Sequence, residues 1–243
     1  ALTPKMSDAL SYPYLLLLAS GGHCQYLAVL KANKIKRLGT TIDDAPGEVF
    51  DKVAKMLNLP TFSGSEVEKY AKKGNENRFS FPLPLINTND CDLSFSGLKS
   101  SVRRQVDYLI EKQSGLYEND QMDVCASFQK SMRIIFEKKT KKAVDLFSKL
   151  SSGEKISFSL AGGVAANQNI RSSLKSLCND LDIIFSAPPL ELCTDNGLMI
   201  AYAGTQIYLS GRQDDMGLSP KPRWPIDLDN QKPLGFGKRG RKV

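Results

Sequence analysis

Histidine is almost absent: the 243-residue chain carries one, His23. A single imidazole cannot supply a two-histidine metal cage, and any Ser-His-Asp device would have to run through it. Cysteine is scarce as well. Cys24, Cys91, Cys125, Cys178 and Cys193 are an odd number with no C-x-x-C pair. That excludes a disulfide framework or a thiolate zinc site and fits reduced, mostly buried thiols in an intracellular compartment. Long apolar runs are missing too; Tyr14-Leu15-Leu16-Leu17-Leu18-Ala19 is far too short to cross a bilayer. Ala1-Leu2-Thr3-Pro4-Lys5 lacks the basic-then-apolar order of a secretory signal. The sequence therefore predicts a soluble protein with no membrane partner. Its chemistry falls to backbone amides, carboxylates and Lys, or to ligands from elsewhere.

What is present is globular. Hydrophobic residues at 41% and charged residues at 24% exclude wholesale disorder and a fibrous repeat, and the length suits one large domain or two small ones. The net charge of +7 is uneven, because residues 211–243 hold eight basic and four acidic side chains. This Gly- and Pro-containing tail has two readings, a solvated terminal segment or a surface for a polyanionic partner.

Strands alternate with helices along the chain. Segments 14–19, 25–30 and 35–38 read as a β-meander whose first turn is Ser20-Gly21-Gly22. Val49, Phe50, Val53, Ala54, Met56 and Leu57 fall at helical spacing behind Pro46. Ser65-Glu66-Val67-Glu68 has the form of a capping box opening a helix to about residue 73. Residues 75–92 read as a long loop, and helices are expected over 98–113 and 121–150. Lys138, Lys139, Lys141 and Lys142 are expected on the solvated face of the second of these. A buried-type strand at 156–160, a helix at 169–180, a strand at 183–185 and a helix at 194–210 complete an α/β pattern with mixed sheets.

Two strand-then-Gly-Gly junctions carry the strongest chemical signal: Leu18-Ala19-Ser20-Gly21-Gly22-His23 and Leu160-Ala161-Gly162-Gly163-Val164. Paired glycines let a backbone approach a ligand and turn successive N–H groups toward an anion. A helix opening at Asn167 or Asn169 adds the positive end of its dipole. One such pair is usually only a tight turn; two, each after a buried strand, point to nucleotide phosphates. Asp43, Asp44 and Glu48 are expected to complement the dipole of the first long helix, whereas Asp51, one turn further in, can accept from a ribose. Asp195 either caps the last helix, a role it shares with Thr194, or binds a hard cation. His23 either contacts phosphate or carries a proton, or it braces its loop.

Five ordered segments carry a family resemblance: Ser20-Gly21-Gly22-His23; Ile42-Asp43-Asp44-Ala45-Pro46-Gly47-Glu48-Val49-Phe50-Asp51-Lys52-Val53-Ala54-Lys55; Phe95-Ser96-Gly97-Leu98-Lys99; Gly162-Gly163-Val164-Ala165-Ala166-Asn167; and Cys193-Thr194-Asp195-Asn196-Gly197. Together they closely resemble the universal tRNA threonylcarbamoyladenosine transferase family, once labelled sialoglycoprotein endopeptidases, in its bacterial and mitochondrial branch. The resemblance implies an actin/Hsp70-like (ASKHA) fold: mixed sheets flanked by helices, two lobes and a nucleotide cleft. It divides the chain into the remainder of an incomplete first lobe (1–40), a nucleotide-binding lobe with inserted helices (41–210) and a basic tail (211–243).

The implied reaction moves a threonylcarbamoyl group from threonylcarbamoyl-AMP to N6 of the adenosine 3′ of the anticodon, in tRNAs reading ANN codons. By motif matching, Leu18, Ala19, Ser20, Gly21 and Gly22 line the acyl-adenylate. Asp51, Gly64 and Glu68 hold the ribose and its neighbours, and Asn167 lies on the adenine side. Asp195 ligates one divalent metal (iron, zinc or magnesium), completed by two histidines of an H-x-x-x-H motif absent from this sequence. Where the family usually shows Pro-Gly-Gly, this chain has Phe62-Ser63-Gly64. The resemblance further implies tRNA and an adenine nucleotide as partners, tRNA meeting Lys238, Arg239, Arg241 and Lys242, and a homodimer. A mitochondrial location fits the Lys- and Asn-rich composition, with the bacterial cytoplasm as the alternative. The rival readings are an ATPase or sugar-kinase-like phosphotransferase of the same fold, or a non-catalytic nucleotide-binding lobe of an assembly.

Overall fold

An unbroken apolar run belongs in the middle of a sheet, where both faces are covered, and the structure puts it there. The computed structural model describes residues 1–7, 10–151, 155–193, 196–219 and 226–227. A short helical turn, α1 (Pro4–Ser7), leads into β1 (Tyr14–Ala19), β2 (Cys24–Lys31) and β3 (Lys34–Thr40). β4 (Ser157–Ala161) and β5 (Ile184–Ser186) come from the second half of the chain. All five join one sheet in the order β3-β2-β1-β4-β5. β2 is antiparallel to β1 and β3, and β4 is parallel to β1 with Leu18 opposite Ala161. Strands from residues 1–40 and from 41–210 thus share a sheet, and the α/β expectation with mixed strands holds.

The two sheet faces separate by the alternation of strand side chains. Leu15, Leu17, Ala19, Cys24, Tyr26, Ala28, Phe158 and Leu160 form one face of the main core. Against it pack α2 (Pro46–Met56), α4 (Ser96–Gln113), α5 (Glu118–Ser148) and α6 (Gln168–Asp180), while α3 (Gly64–Ala71) lies on α5. The helical contacts repeat at three and four residues, as in Val49-Phe50-Val53-Ala54 and Phe128-Met132-Ile135-Phe136. Each fully buried Phe or Leu of this set contributes on the order of 1.5–3 kcal/mol by leaving water. Tyr14, Leu16, Leu27 and Val29 face the other way, covered by Leu2 and Leu10 and by Tyr202 and Ala203 of α7 (Gly197–Leu209).

Local details differ from the sequence reading in three places. The box that opens α3 is set two residues earlier: Ser63, not Ser65, accepts from the Glu66 amide. α7 is capped by Asn196, whose side chain accepts from the Met199 amide at 3.0 Å, so neither Thr194 nor Asp195 is the cap. Lys139 is fully buried rather than solvated. Its ammonium donates to Thr88 Oγ1 at 2.7 Å, to the Asp90 carbonyl at 3.0 Å and to Asp90 Oδ1 at 3.3 Å, pinning the 75–92 loop to α5. No helix among the described residues is long and apolar enough to cross a membrane. Most of the basic tail, including Lys238, Arg239, Arg241 and Lys242, lies outside the described residues.

Candidate functional site

Parallel strands deliver their carboxyl ends to the same edge, where α/β proteins bind ligands. β1 and β4 both run out into glycine there. The first turn closes on itself: the Ser20 amide donates to the His23 carbonyl at 2.8 Å and the His23 amide donates to Ser20 Oγ at 3.1 Å. The second turns at Gly162, whose φ is +92° and whose Cβ, were one present, would sit 2.4 Å from the Ala19 carbonyl oxygen. Only glycine satisfies both conditions. A 3-10 turn (Gly163–Ala166) then delivers Asn167, the N-cap of α6.

Between these turns lies a cavity of ≈330 Å³, within the size range of small-molecule sites. Gly21 contributes from the first turn and Gly163, Val164, Ala166 and Asn167 from the second. The opening turns of two helices complete the wall, Gly47, Phe50 and Asp51 of α2 and Gly64, Ser65 and Glu68 of α3. α2, α3 and α6 therefore all present their N-terminal ends to one space, each carrying partial positive charge. That arrangement suits an anion.

Two carboxylates flank the same space. Asp51 accepts from the Gly64 amide; burial and the nearby Glu48 carboxylate push its pKa up, and that hydrogen bond opposes them. Glu68 Oε1 accepts from the Gln168 amide at 3.0 Å and lies 3.5 Å from the Lys72 ammonium. Neutral hydroxyls, such as those of a ribose, are natural donors to such groups. Asn167 is committed on both ends of its amide. Its Oδ1 accepts from the Ile170 amide at 3.0 Å and its Nδ2 donates to Gln129 Oε1 at 2.8 Å. Phe50 is held by an edge-on contact with Phe128, ring centroids 5.0 Å apart.

The expected site residues thus divide. Gly21, Asp51, Gly64, Glu68 and Asn167 meet at the cavity. Ser20 supports it through its carbonyl, which accepts from the Gly47 amide at 3.2 Å. Leu18 and Ala19 point their side chains to opposite faces of the sheet, into the second and the main core respectively. Gly22 and His23 are exposed and outside the lining. Asp195 lies outside the described residues, among which no three His, Cys, Asp or Glu side chains gather as a metal site. Gly163 and Val164 of the second glycine junction also line it, as that junction's sequence suggested, whereas Gly47, Phe50, Ser65 and Ala166 were given no site role from the sequence. Gly47 had a visible signal, a glycine one residue inside a helix that starts with Pro46.

A sequence profile of the TsaD family, tRNA N6-adenosine threonylcarbamoyltransferase, matches residues 1–202. The chain belongs to this family. The family carries the actin/Hsp70-like fold, and the mixed sheet with its helical layers fits it. Among similar proteins, those of Ruegeria pomeroyi, Paracoccus denitrificans and Jannaschia sp. are 48%, 50% and 50% identical over 243 residues. All three are named tRNA N6-adenosine threonylcarbamoyltransferase. The alignments take in 100% of this chain and 66%, 67% and 65% of theirs. The chain therefore spans about two thirds of the length of these TsaD relatives.

Proposed function

We propose that the protein transfers the threonylcarbamoyl group of threonylcarbamoyl-AMP to N6 of the adenosine 3′ of the anticodon in tRNA. The observation that carries this reading is the meeting of two glycine turns and three helix N-termini around one cavity that also holds Asp51 and Glu68. Such a space takes a nucleotide, its phosphate toward the amides and its ribose hydroxyls toward the carboxylates. Membership of the TsaD family and relatives named for this transfer favour the acyl transferase over a phosphotransferase or a non-catalytic lobe.

The chemistry asks mainly for positioning. The mixed carbamic-phosphoric anhydride is already activated. The adenosine amine forms a bond to the carbamoyl carbon, the carbon–oxygen bond to phosphate breaks, and AMP leaves with the electron pair while the amine gives up a proton. Holding the adenylate in register with the amine replaces an encounter by an oriented reaction. The partial positive charge at the N-terminal ends of α2, α3 and α6, all beside the cavity, offsets the charge that grows on the leaving phosphate. Gly64 and Glu68 fix Asp51 and the α6 entry, respectively.

Asp195 is kept as this chain's ligand for a divalent cation, iron, zinc or magnesium, with two histidines from outside the sequence. The described residues do not assemble a cage for it. His23 as a phosphate contact or proton carrier, tRNA contact by Lys238, Arg239, Arg241 and Lys242, and a homodimer belong to the same proposal. So does the mitochondrial compartment, which rests on composition; cell fractionation distinguishes it from the bacterial cytoplasm.

The test is reconstitution. Full-length enzyme carrying this sequence, given threonylcarbamoyl-AMP and tRNA, should yield the modified nucleoside by mass spectrometry, and Asp51→Ala and Glu68→Ala should each cut the yield. Turnover of ATP to ADP without tRNA, together with no modified nucleoside, would sink the acyl-transfer reading in favour of the phosphotransferase.

A further inference from the structure

Two of the segments that define the family resemblance do not both reach the cavity. The 42–55 segment supplies Gly47, Phe50 and Asp51 to its wall, whereas Phe95, Ser96, Gly97, Leu98 and Lys99 line none of it. Their contacts lie with the other segment. Asp43 Oδ1 accepts from the Phe95 amide at 2.8 Å and the Ser96 amide at 3.3 Å, and Oδ2 accepts from Ser96 Oγ at 2.8 Å and from Ser94 Oγ. α4 has no capping side chain of its own, since its N-cap residue is Phe95; Asp43, from a distant stretch of chain, does that work. The next residue, Asp44, is ion-paired through Oδ2 with Lys99, a turn into α4.

The two stretches are also laddered along their backbones. The Leu93 amide donates to the Thr40 carbonyl at 3.0 Å, the Ile42 amide donates to the Leu93 carbonyl at 2.9 Å, and Asp92 Oδ1 accepts from the Thr40 amide at 3.1 Å. Only Ala45, fully buried, and Pro46 separate this attachment from Gly47. Pro46 has a fixed φ, so a displacement at Asp43–Asp44 is passed on to Gly47 with little slack. Gly47 has none to give, because its Cα region is already so close to the first glycine turn that a Cβ there would lie 2.9 Å from Gly21 N.

We propose that Asp43, Asp44, Ser94, Ser96 and Lys99 form a clasp that sets the position of the α2 opening turn against the first glycine turn, making Lys99 and the two serines positioning residues for adenylate binding. The claim rests on reading the cavity as an adenylate site. Burial of Asp43 works against its charge, but the hydrogen bonds from Ser94, Phe95 and Ser96 outweigh it and hold the carboxyl below its ordinary pKa. Asp43 is therefore ionised at neutral pH.

The experiment uses full-length enzyme with Lys99→Met and Lys99→Arg. Relative to wild type, Lys99→Met should raise the KM for threonylcarbamoyl-AMP and the Kd for AMP about tenfold while kcat stays within about twofold, a coupling of the size usual for residues in one network. Lys99→Arg should restore both. In the absence of any ligand, hydrogen exchange at the Gly47 amide, which donates to Ser20, should quicken in Lys99→Met and not in Lys99→Arg. Unchanged exchange at Gly47 in Lys99→Met would overturn the clasp. So would an AMP affinity equal to that of a wild type that binds AMP. A wild type that binds no AMP, with faster Gly47 exchange in the variant, would leave the clasp standing and remove the adenylate reading instead.

Discussion

Gly47 and Gly21 touch backbone to backbone: a methyl group on Gly47 would stand 2.9 Å from the Gly21 nitrogen, the Gly21 Cα and the Ser20 carbonyl oxygen alike. None of those atoms belongs to a flexible side chain that could swing away. Gly47→Ala should therefore force α2 from the turn, at a cost of about 1–3 kcal/mol in unfolding free energy. AMP binding should weaken at least about tenfold, since one wall of the cavity moves. Titration calorimetry and a urea melt measure both; unchanged affinity would mean that the contact does not shape the site.

The second glycine pair separates conformational need from ligand need. Gly162 has a φ of +92° and lies against Ala19, whereas a Cβ on Gly163 would meet nothing within 4 Å. Gly162→Ala should destabilise the fold, with strain and overlap together exceeding about 2 kcal/mol. Gly163→Ala should melt within about 0.5 kcal/mol of wild type yet weaken AMP binding, because Gly163 lines the cavity. Equal melting points for the two variants would contradict this assignment.

Acid should dissolve the Asp43 attachment. Its carboxyl has a folded-state pKa below the ordinary 3.8, so the native state binds its proton less readily than the unfolded chain. The stabilisation is complete above the unfolded value and is lost as pH falls through the folded one. Asp120 behaves alike: burial opposes its ionisation, but Gln113, Arg78 and the Tyr117 amide hold its pKa down. Unfolding free energy measured from about pH 6 down to about pH 3 should fall, and Asp43→Asn should flatten part of that slope. The same slope in wild type and variant would exclude Asp43 as a contributor.

Lys139 and Asp90 are unequal partners, the first fully buried and the second half exposed. Asp90→Ala leaves an enclosed ammonium with only Thr88 Oγ1 and the residue-90 carbonyl to answer it. A loss of about 1–3 kcal/mol is expected. Lys139→Met removes the charge that needs compensation and should cost less. Chemical denaturation of both variants gives the order, and the reverse order would show that the charge is not confined as the geometry has it.

All five cysteines are buried and unpaired. Burial pushes the Cys91, Cys125 and Cys178 thiols up to about 12, so almost no thiolate exists at neutral pH. A thiol reagent should label the native protein slowly and all five sites promptly in denaturant. Fast native labelling of any one would place it at a surface.

What could be read from the sequence was what local pattern dictates. The apolar run of β1, the helical spacing in 49–57 and the glycine junctions each sit within a few residues, and each was placed correctly. Of the five expected site residues that meet at the cavity, Gly21 carries such a local signal, a strand followed by two glycines, whereas Asp51, Gly64, Glu68 and Asn167 were placed by the family resemblance. Lys139 was misread because helix periodicity assigns a face without knowing which loop will fold over it. Asp43 was read as a dipole partner for the helix it precedes; its actual role, capping a helix more than fifty residues later, is a long-range fact. Asn196 displaced Asp195 as a cap because adjacent Asn and Asp compete for that role on nearly equal terms.

The parallel pairing of β1 with β4 has a consequence for biosynthesis. Leu18 emerges from the ribosome long before its neighbour Ala161, and a chain tethered through so large a loop gains nothing from that strand until the loop closes. A nascent chain that has passed α2 and α3 already owns most of the residues that would touch a nucleotide, yet it has no enclosure to put one in. Ligand rescue of translation intermediates should therefore begin only once the segment through Asn167 has cleared the exit tunnel.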